Sequence, residues 1–348
     1  MTAPTSLPLA LTIGDPAGIG PEIAVKAWQA RREADVPAFV LLGDPEILSQ
    51  RAHEAGLGDM ATRVLAREDA ASVCAIFDTA LPVVALDAFP KPVAGKPDPA
   101  FAPLVTGAIE TAVTMVRDGS ASAVVTNPIN KEMLYGAGFS FPGHTEYLGE
   151  LARELFGVTA HPVMMLAGED LRVVPVTVHI ALREVPEQLT TDLIVETGRI
   201  VARDLIGRLG IARPRIAIAG LNPHAGEGGA MGTEEITIIA PAIEALRAAG
   251  LDVRGPLPAD TMFHPRARAG YDAAICMYHD QALIPIKTIA FDTGVNTTLG
   301  LPFVRTSPDH GTAYDIAGTG KAEASSLIAA LKLAARMGAH EAAAEADA

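Results

Sequence analysis

Residues 9–34 read LALTIGDPAGIGPEIAVKAWQARREA, and this stretch decides the fold class. "LALTI" is an apolar run of the length of a buried strand. "PEIAVKAWQARREA" has helical spacing, with Pro21 at a first-turn position that needs no N–H. Between them, "GDPAGIG" is a tight strand-to-helix turn. A dinucleotide-loop reading of that turn fails, because after Gly18 and Gly20 come Pro21, Glu22 and Ile23, and the third glycine of G-x-G-x-x-G is missing.

The same strand-then-helix rhythm recurs along the chain. "AFVLLG", "PVVALD", "SAVVTNP", "PVMMLAG", "LRVVPVTV", "RIAIAG" and "AAICMY" read as further strands, and an α/β architecture follows. "TEEITIIAPAIEALRAAG" reads as a helix stopped by Gly250, and "AEASSLIAALKLAARMG" as a last amphipathic helix, after which "AHEAAAEADA" is expected to fray. The Pro-rich stretch Phe89–Leu104 is expected to be an irregular surface connection, since proline removes donors and biases its predecessor away from helix.

A chain of 348 residues is long enough for two lobes. Its 49% apolar content, few aromatics and abundant Ala and Gly suit helices packed closely on a sheet. The formal charge of −14 argues against a nucleic-acid or anionic-membrane partner, so an anionic substrate must find a local basic pocket. The opening has no positive n-region and no apolar run reaches ~18 residues, so a soluble, cytoplasmic protein is expected. Cys74 and Cys276 sit in apolar runs without metal-type spacing and are expected to be small core residues, not a disulfide.

Of nine histidines, three end strand-like runs: His179 in "VVPVTVHIAL", His224 in "IAIAGLNPHAGEGG" and His279 in "AAICMYHDQ". Ligands gather at the carboxyl ends of strands in open α/β sheets, and three imidazoles there could hold a divalent metal with open positions for substrate. A lone histidine at a strand end can equally be a hydrogen-bonded residue, and spacing this long is no local metal signature. Asp280 suits either an orienting carboxylate or a helix N-cap. In "FPGHTEYLGELA", Thr145 reads first as a cap; the other reading has His144 and Thr145 facing an anion at a helix N-terminus.

Two glycine-rich stretches carry more. "NPHAGEGGAMGTEE" supplies flexible backbone beside His224 whose N–H groups could approach an anion. Residues 291–322, "FDTGVNTTLGLPFVRTSPDHGTAYDIAGTGKA", are too polar for core yet lack the charge of a linker, which points to function. Lys287 and Arg305 flank its beginning and, with Asn296, would suit a phosphate, each having a surface ion pair as its plain alternative.

Together "GDPAGIGPE", "GHTEYL", "NPHAGEGG", "YHDQALIPIK" and "GVNTTLGLPFVRTSPDHGTAYDIAGTGKA" resemble the 4-hydroxythreonine-4-phosphate dehydrogenase family of pyridoxal phosphate biosynthesis, in ordered blocks from Gly14 to Ala322. More distantly, two blocks are similar to motifs of isocitrate and isopropylmalate dehydrogenases. The resemblance implies two α/β/α lobes, residues 1–135 with 305–348 and residues 136–304, with the active site in the cleft between them. It implies a metal held by His179, His224 and His279 and shared across a homodimer, the cation being zinc, magnesium or cobalt. Substrate contacts carry over onto His144, Thr145, Lys287, Asn296 and Arg305, and NAD or NADP contacts onto the loop from His310 and Gly311 to Asp315.

The implied reaction oxidises the secondary hydroxyl of 4-phosphooxy-L-threonine and then decarboxylates the β-keto acid to 3-amino-2-oxopropyl phosphate. Asp260 in "LPADTMF" is a candidate general base alongside Lys287 as a catalytic cation, and a cap or a carboxylate behind the metal ligands is the alternative for Asp260. Relatives acting on D-threonate or D-erythronate 4-phosphate, or on a dihydrodiol, are the nearest competing readings. A metal-dependent aldolase or hydrolase needing no nicotinamide is the competitor of another class.

Overall fold

The computed structural model of the chain describes residues 7–86, 91–137, 141 and 143–346. Its contacts divide it into two compact units, one of residues up to Pro162 with Leu301–Ala343, the other of Val163–Gly300. The divisions fall at 162/163 and 300/301, where 135/136 and 304/305 were expected. The helix His144–Phe156 accounts for the first difference, since it buries Leu148, Leu151 and Ala152 in the first unit's core with Ile109 and Val113.

In the first unit, strands β1 (Leu9–Thr12), β2 (Phe39–Gly43), β3 (Thr62–Leu65), β4 (Leu81–Ala85), β5 (Ala123–Thr126) and, from the end of the chain, β12 (Arg305–Pro308) lie in the order β3-β4-β2-β1-β5-β12. All these pairings are parallel. β1 and β5 are buried at every position, as expected of strands covered on both faces by crossover helices. β3 is the edge, short and exposed at Arg63 and Val64.

In the second unit, β6 (Val163–Ala167), β7 (Arg172–Thr177), β8 (Arg215–Ala219), β9 (Asp252–Leu257), β10 (Ala273–Tyr278) and β11 (Val295–Leu299) lie in the order β11-β6-β7-β10-β8-β9. β11 and β6, and β6 and β7, pair antiparallel; β7, β10, β8 and β9 are parallel. The three parallel strands β7, β10 and β8 are neighbours, and each runs toward one of the three candidate histidines. Leu166, Val173, Ala217, Ala274 and Cys276 form this unit's core with Ala282, Leu283 and Ile286 of the helix His279–Ile289.

Some expectations shift. Phe89 and Pro90 lie outside the described residues, but the end of the Pro-rich stretch is helical: Pro99–Phe101 forms a 3₁₀ turn and Ala102 opens a helix to Arg117. The prolines there occupy first-turn positions, where no N–H is missed. Pro99–Arg117 is also the one described helix long and apolar enough to suit a membrane span, and it buries Leu104, Val105, Ala108 and Ala112 in the core. The terminal helix runs from Ser325 to Ala346, past the point of expected fraying. Cys276 is buried as expected, and burial pushes its thiol well up; Cys74 is exposed where a core position was expected, and neither is in a disulfide.

Candidate active site

Two side chains lace the ends of β7, β10 and β8 together. The Thr177 hydroxyl donates to Met277 O at 2.8 Å, joining β7 to β10 two residues before His179 and two before His279. Buried Gln281 accepts from Met277 N–H at 2.7 Å and donates to Gly220 O at 2.7 Å, joining β10 to the turn that leads to His224. Replacing Gln281 by Ala strands a buried N–H and a buried carbonyl at about 1–3 kcal/mol each. Gln281→Ala is therefore expected to lower unfolding free energy by about 2–6 kcal/mol in a denaturant titration.

His179 and His279 come together, their ring centroids 5.6 Å apart. They line a cavity of about 230 Å³ with Thr177, Leu182, Tyr278 and Asp280. Asp280 is not a cap: the helix is capped by Tyr278 without a side-chain bond, and the Asp280 carboxylate sits 2.8 Å from His279 Nδ1. An ionised carboxylate only accepts, so that contact favours the tautomer with the proton on Nδ1 and leaves Nε2 able to ligate, as carboxylates behind metal-ligating histidines do. His224 does not join the pair, and among the described residues of this one chain no three His, Cys, Asp or Glu could hold a metal. The donor set of the pair, two imidazoles with one braced by a carboxylate, fits part of a divalent site.

Backbone strain marks the same segments. Among the described residues six non-glycines have positive φ; His179, His224, Ala225 and Glu227 are four of them, and Ala313 in the loop after β12 is a fifth. Each costs on the order of 1–3 kcal/mol, and such outliers collect at functional sites. Asp260 lies exposed in the 3₁₀ turn Ala259–Thr261, which packs beside the Pro223–Gly229 turn carrying His224. Lys287 is half-buried in the last turn of its helix with Nζ 5.7 Å from the Phe291 ring, and Asn296 is half-buried on β11 opposite Leu166.

The first unit carries its own constellation. The helix His144–Phe156 begins at His144 with Gly143 as cap and no side-chain cap bond, so Thr145 lies within the first turn and is not the cap. His144 is half-buried, but its Nε2 is enclosed and has no hydrogen-bond partner among the described residues. Burial, then the charges of Arg305 and Lys131, hold its imidazole well below the ordinary range, so it is neutral at physiological pH. Arg305 is 3% exposed on β12 and donates from Nη2 to the Thr126 hydroxyl at 2.6 Å. Burial lowers its guanidinium to about 10, so it stays charged. Lys131, not singled out in the sequence, completes two cations around a neutral imidazole.

The "GDPAGIGPE" turn and the "HGTAYDIAGTGKA" loop, some 300 residues apart in sequence, form one structure. Ile19 N–H donates to Thr312 O at 2.9 Å, and Tyr314 OH to the buried Asp15 carboxylate at 2.5 Å. The Glu22 carboxylate, wholly buried, accepts from Gly318 N–H at 2.9 Å and Ala322 N–H at 3.3 Å. Gly18 must be glycine, because a Cβ there would stand 2.9 Å from Thr312 O. Arg51, buried, holds the turn from below through Gly18 O and Pro16 O. Fixed in this way, the loop leaves His310, Gly311 and Asp315 exposed.

The comparisons agree with one another. The family model described as pyridoxal phosphate biosynthetic protein PdxA matches residues 35–334. A 4-hydroxythreonine-4-phosphate dehydrogenase of Bradyrhizobium diazoefficiens is 59% identical over 95% of this chain and 97% of its own length. One from Xanthobacter autotrophicus is 54% identical over 97% and 95%. The crystal structure of 4-hydroxythreonine-4-phosphate dehydrogenase from Klebsiella pneumoniae superposes with a TM-score of 0.84 at 38% identity, covering 96% of this chain and all of that one. With the matched region spanning both units and every quoted family motif after the first turn, the chain belongs to the PdxA family of pyridoxal phosphate biosynthetic proteins.

Proposed function

We propose that the chain oxidises 4-phosphooxy-L-threonine at its secondary hydroxyl with NAD or NADP and then releases carbon dioxide, leaving 3-amino-2-oxopropyl phosphate. It is an oxidoreductase of pyridoxal phosphate biosynthesis, like the relatives it matches along nearly its whole length. The observation that carries the finer reading is the lacing of β7, β10 and β8 by Thr177 and Gln281, which delivers three histidines to one end of one sheet.

His179, His224 and His279 would hold a divalent cation, which when bound would supply Lewis acidity toward the hydroxyl and the charge of decarboxylation. NAD or NADP, when bound, would supply the hydride acceptor. The residues do the rest. Asp280 orients His279. Lys287, Asn296 and Arg305 hold the phosphate, where Arg305 offers a charged fork and Lys287 a point charge. Neutral His144 gives a hydrogen bond to the anion without adding charge, and Thr145 lies beside it at the positive end of a helix. Asp260, exposed beside the His224 turn, takes the hydroxyl proton. His310, Gly311 and Asp315 meet the nucleotide on a loop fixed by Asp15 and Glu22.

The metal site is shared by two copies of the chain, which accounts for finding two histidines together and the third apart. Of thirteen large apolar side chains exposed among the described residues, eight lie in the second unit, including Val178 and Leu182 beside His179, Met231 and Ile236 near His224, and Ile284 and Phe291 after His279. A second copy would cover them.

Purified protein given 4-phosphooxy-L-threonine and NAD is expected to produce NADH absorbance and carbon dioxide in equal amounts. Chelation is expected to stop both, and zinc, cobalt or magnesium to restore them. Full-rate turnover by metal-free protein would sink the reading.

A further inference from the structure

The turn that carries His224 is wound left-handed over five consecutive residues, with φ of 52° at His224, 52° at Ala225, 77° at Gly226, 42° at Glu227 and 67° at Gly228. Single left-handed residues are common, but runs of them are sterically unfavourable for L-residues, so this one needs a restraint from outside itself. Asn222 and Glu235 supply it.

Glu235 opens the segment Glu235–Ile239, which is wound as π-helix, a rare distortion often found at functional sites. Its carboxylate is buried and clasps one residue twice: Oε1 accepts from Asn222 N–H at 2.7 Å and Oε2 from Asn222 Nδ2 at 3.0 Å. The same Nδ2 also donates to Glu234 Oε2 at 2.7 Å. Three glycines make room for the clasp. A Cβ on Gly226 would stand 2.5 Å from Glu235 Oε2, one on Gly220 3.1 Å from Oε1, and one on Gly232 2.3 Å from Asn222 Nδ2. A buried carboxylate, a π-wound segment and three close-approach glycines therefore converge on the residue two places before His224.

We infer that Glu235, acting through Asn222, is a positioning residue that holds the left-handed turn so that His224 presents its imidazole to the metal. This rests on the reading of His224 as a ligand. It assigns Glu235 no contact with metal or substrate. A merely structural role would lower stability and leave the metal's surroundings unchanged.

Cobalt titrated into the metal-free full-length protein separates the two, with affinity read by competition against a chelator and geometry by the visible d–d bands. Glu235→Gln keeps the shape and one acceptor while turning the other oxygen into a donor facing Asn222 Nδ2. It is expected to weaken cobalt binding about 10-fold and to shift the bands, with the metal-free thermal midpoint lowered by no more than a few degrees. Glu235→Ala is expected to weaken binding up to about 100-fold. Parent-like affinity and spectrum in Glu235→Gln, with binding lost in His224→Ala, would overturn the positioning role and leave the proposed function standing. Parent-like binding in His224→Ala would overturn the ligand reading and this inference with it.

Discussion

Replacing His279 by Ala is expected to lower kcat/KM at least about 1,000-fold, roughly 4 kcal/mol of transition-state stabilisation, with the fold intact. The ring sits half-buried at the head of its helix, and its polar contact is with Asp280, so no core packing goes with it. What goes is one of two imidazoles held 5.6 Å apart, and a divalent site that loses a ligand loses both the proton and the enolate chemistry. Metal content should fall with activity. A variant that kept its metal and a tenth of its rate would show that the pair is not the metal's seat.

The proposed sharing of the site between two copies makes the same substitution diagnostic in a mixture. His224→Ala and His279→Ala chains should each be inactive alone. If the His179–His279 pair of one copy is completed by His224 of the other, a mixed dimer contains one intact site and one doubly damaged site. Dissociating and remixing equal amounts should then return about a quarter of parent activity, since half the dimers are mixed and each has half its sites. If one copy supplied all three ligands, every site in the mixture would lack a ligand and no activity would return.

Much of this was legible in the sequence because buried strands announce themselves. The eight apolar runs read as strands all form strands, since each lies inside a sheet and needs an unbroken apolar face. The strands not anticipated are β3, β9, β11 and β12. β3 and β9 are sheet edges with exposed charged residues, Arg63, Asp252 and Arg254, while β11 and β12 are rich in threonine, arginine and serine and are buried nonetheless. A buried polar strand defeats hydrophobic pattern because its side chains answer to neighbours and not to water. The histidines were visible as strand ends, but the bonds that gather them are not: Thr177 to Met277 spans 100 residues and Gln281 to Gly220 spans 61. Lys131 is silent in the sequence for a similar reason. It opens a short helix capped by Asn130, an ordinary surface setting, and only the return of the chain at Gly143 and His144 brings it to the imidazole.

The second large effect is expected at Arg305, where function and stability should move in opposite directions. Its guanidinium is almost wholly buried, and the burial that lowers it to about 10 costs the folded state on the order of 3 kcal/mol. The sign follows from its being a base: a pKa lower in the folded than in the unfolded chain means the penalty is in full force at neutral pH. It is relieved only as pH rises through 10 toward the unfolded value. So costly a charge beside an enclosed His144 Nε2 supports the proposed role of this spot in holding the substrate's anion. Arg305→Met retains length and apolar volume, and the bond it gives up to the Thr126 hydroxyl is worth about 1 kcal/mol. It is expected to raise the thermal midpoint by a few degrees and to raise KM for the phosphorylated substrate at least about 100-fold. Arg305→Lys keeps the charge without the fork, so a KM increase of about 10-fold is expected. Differential scanning calorimetry and initial rates together check the pair. A Met variant that melts lower and binds substrate like the parent would make Arg305 a structural strut, and the phosphate would have to be held elsewhere.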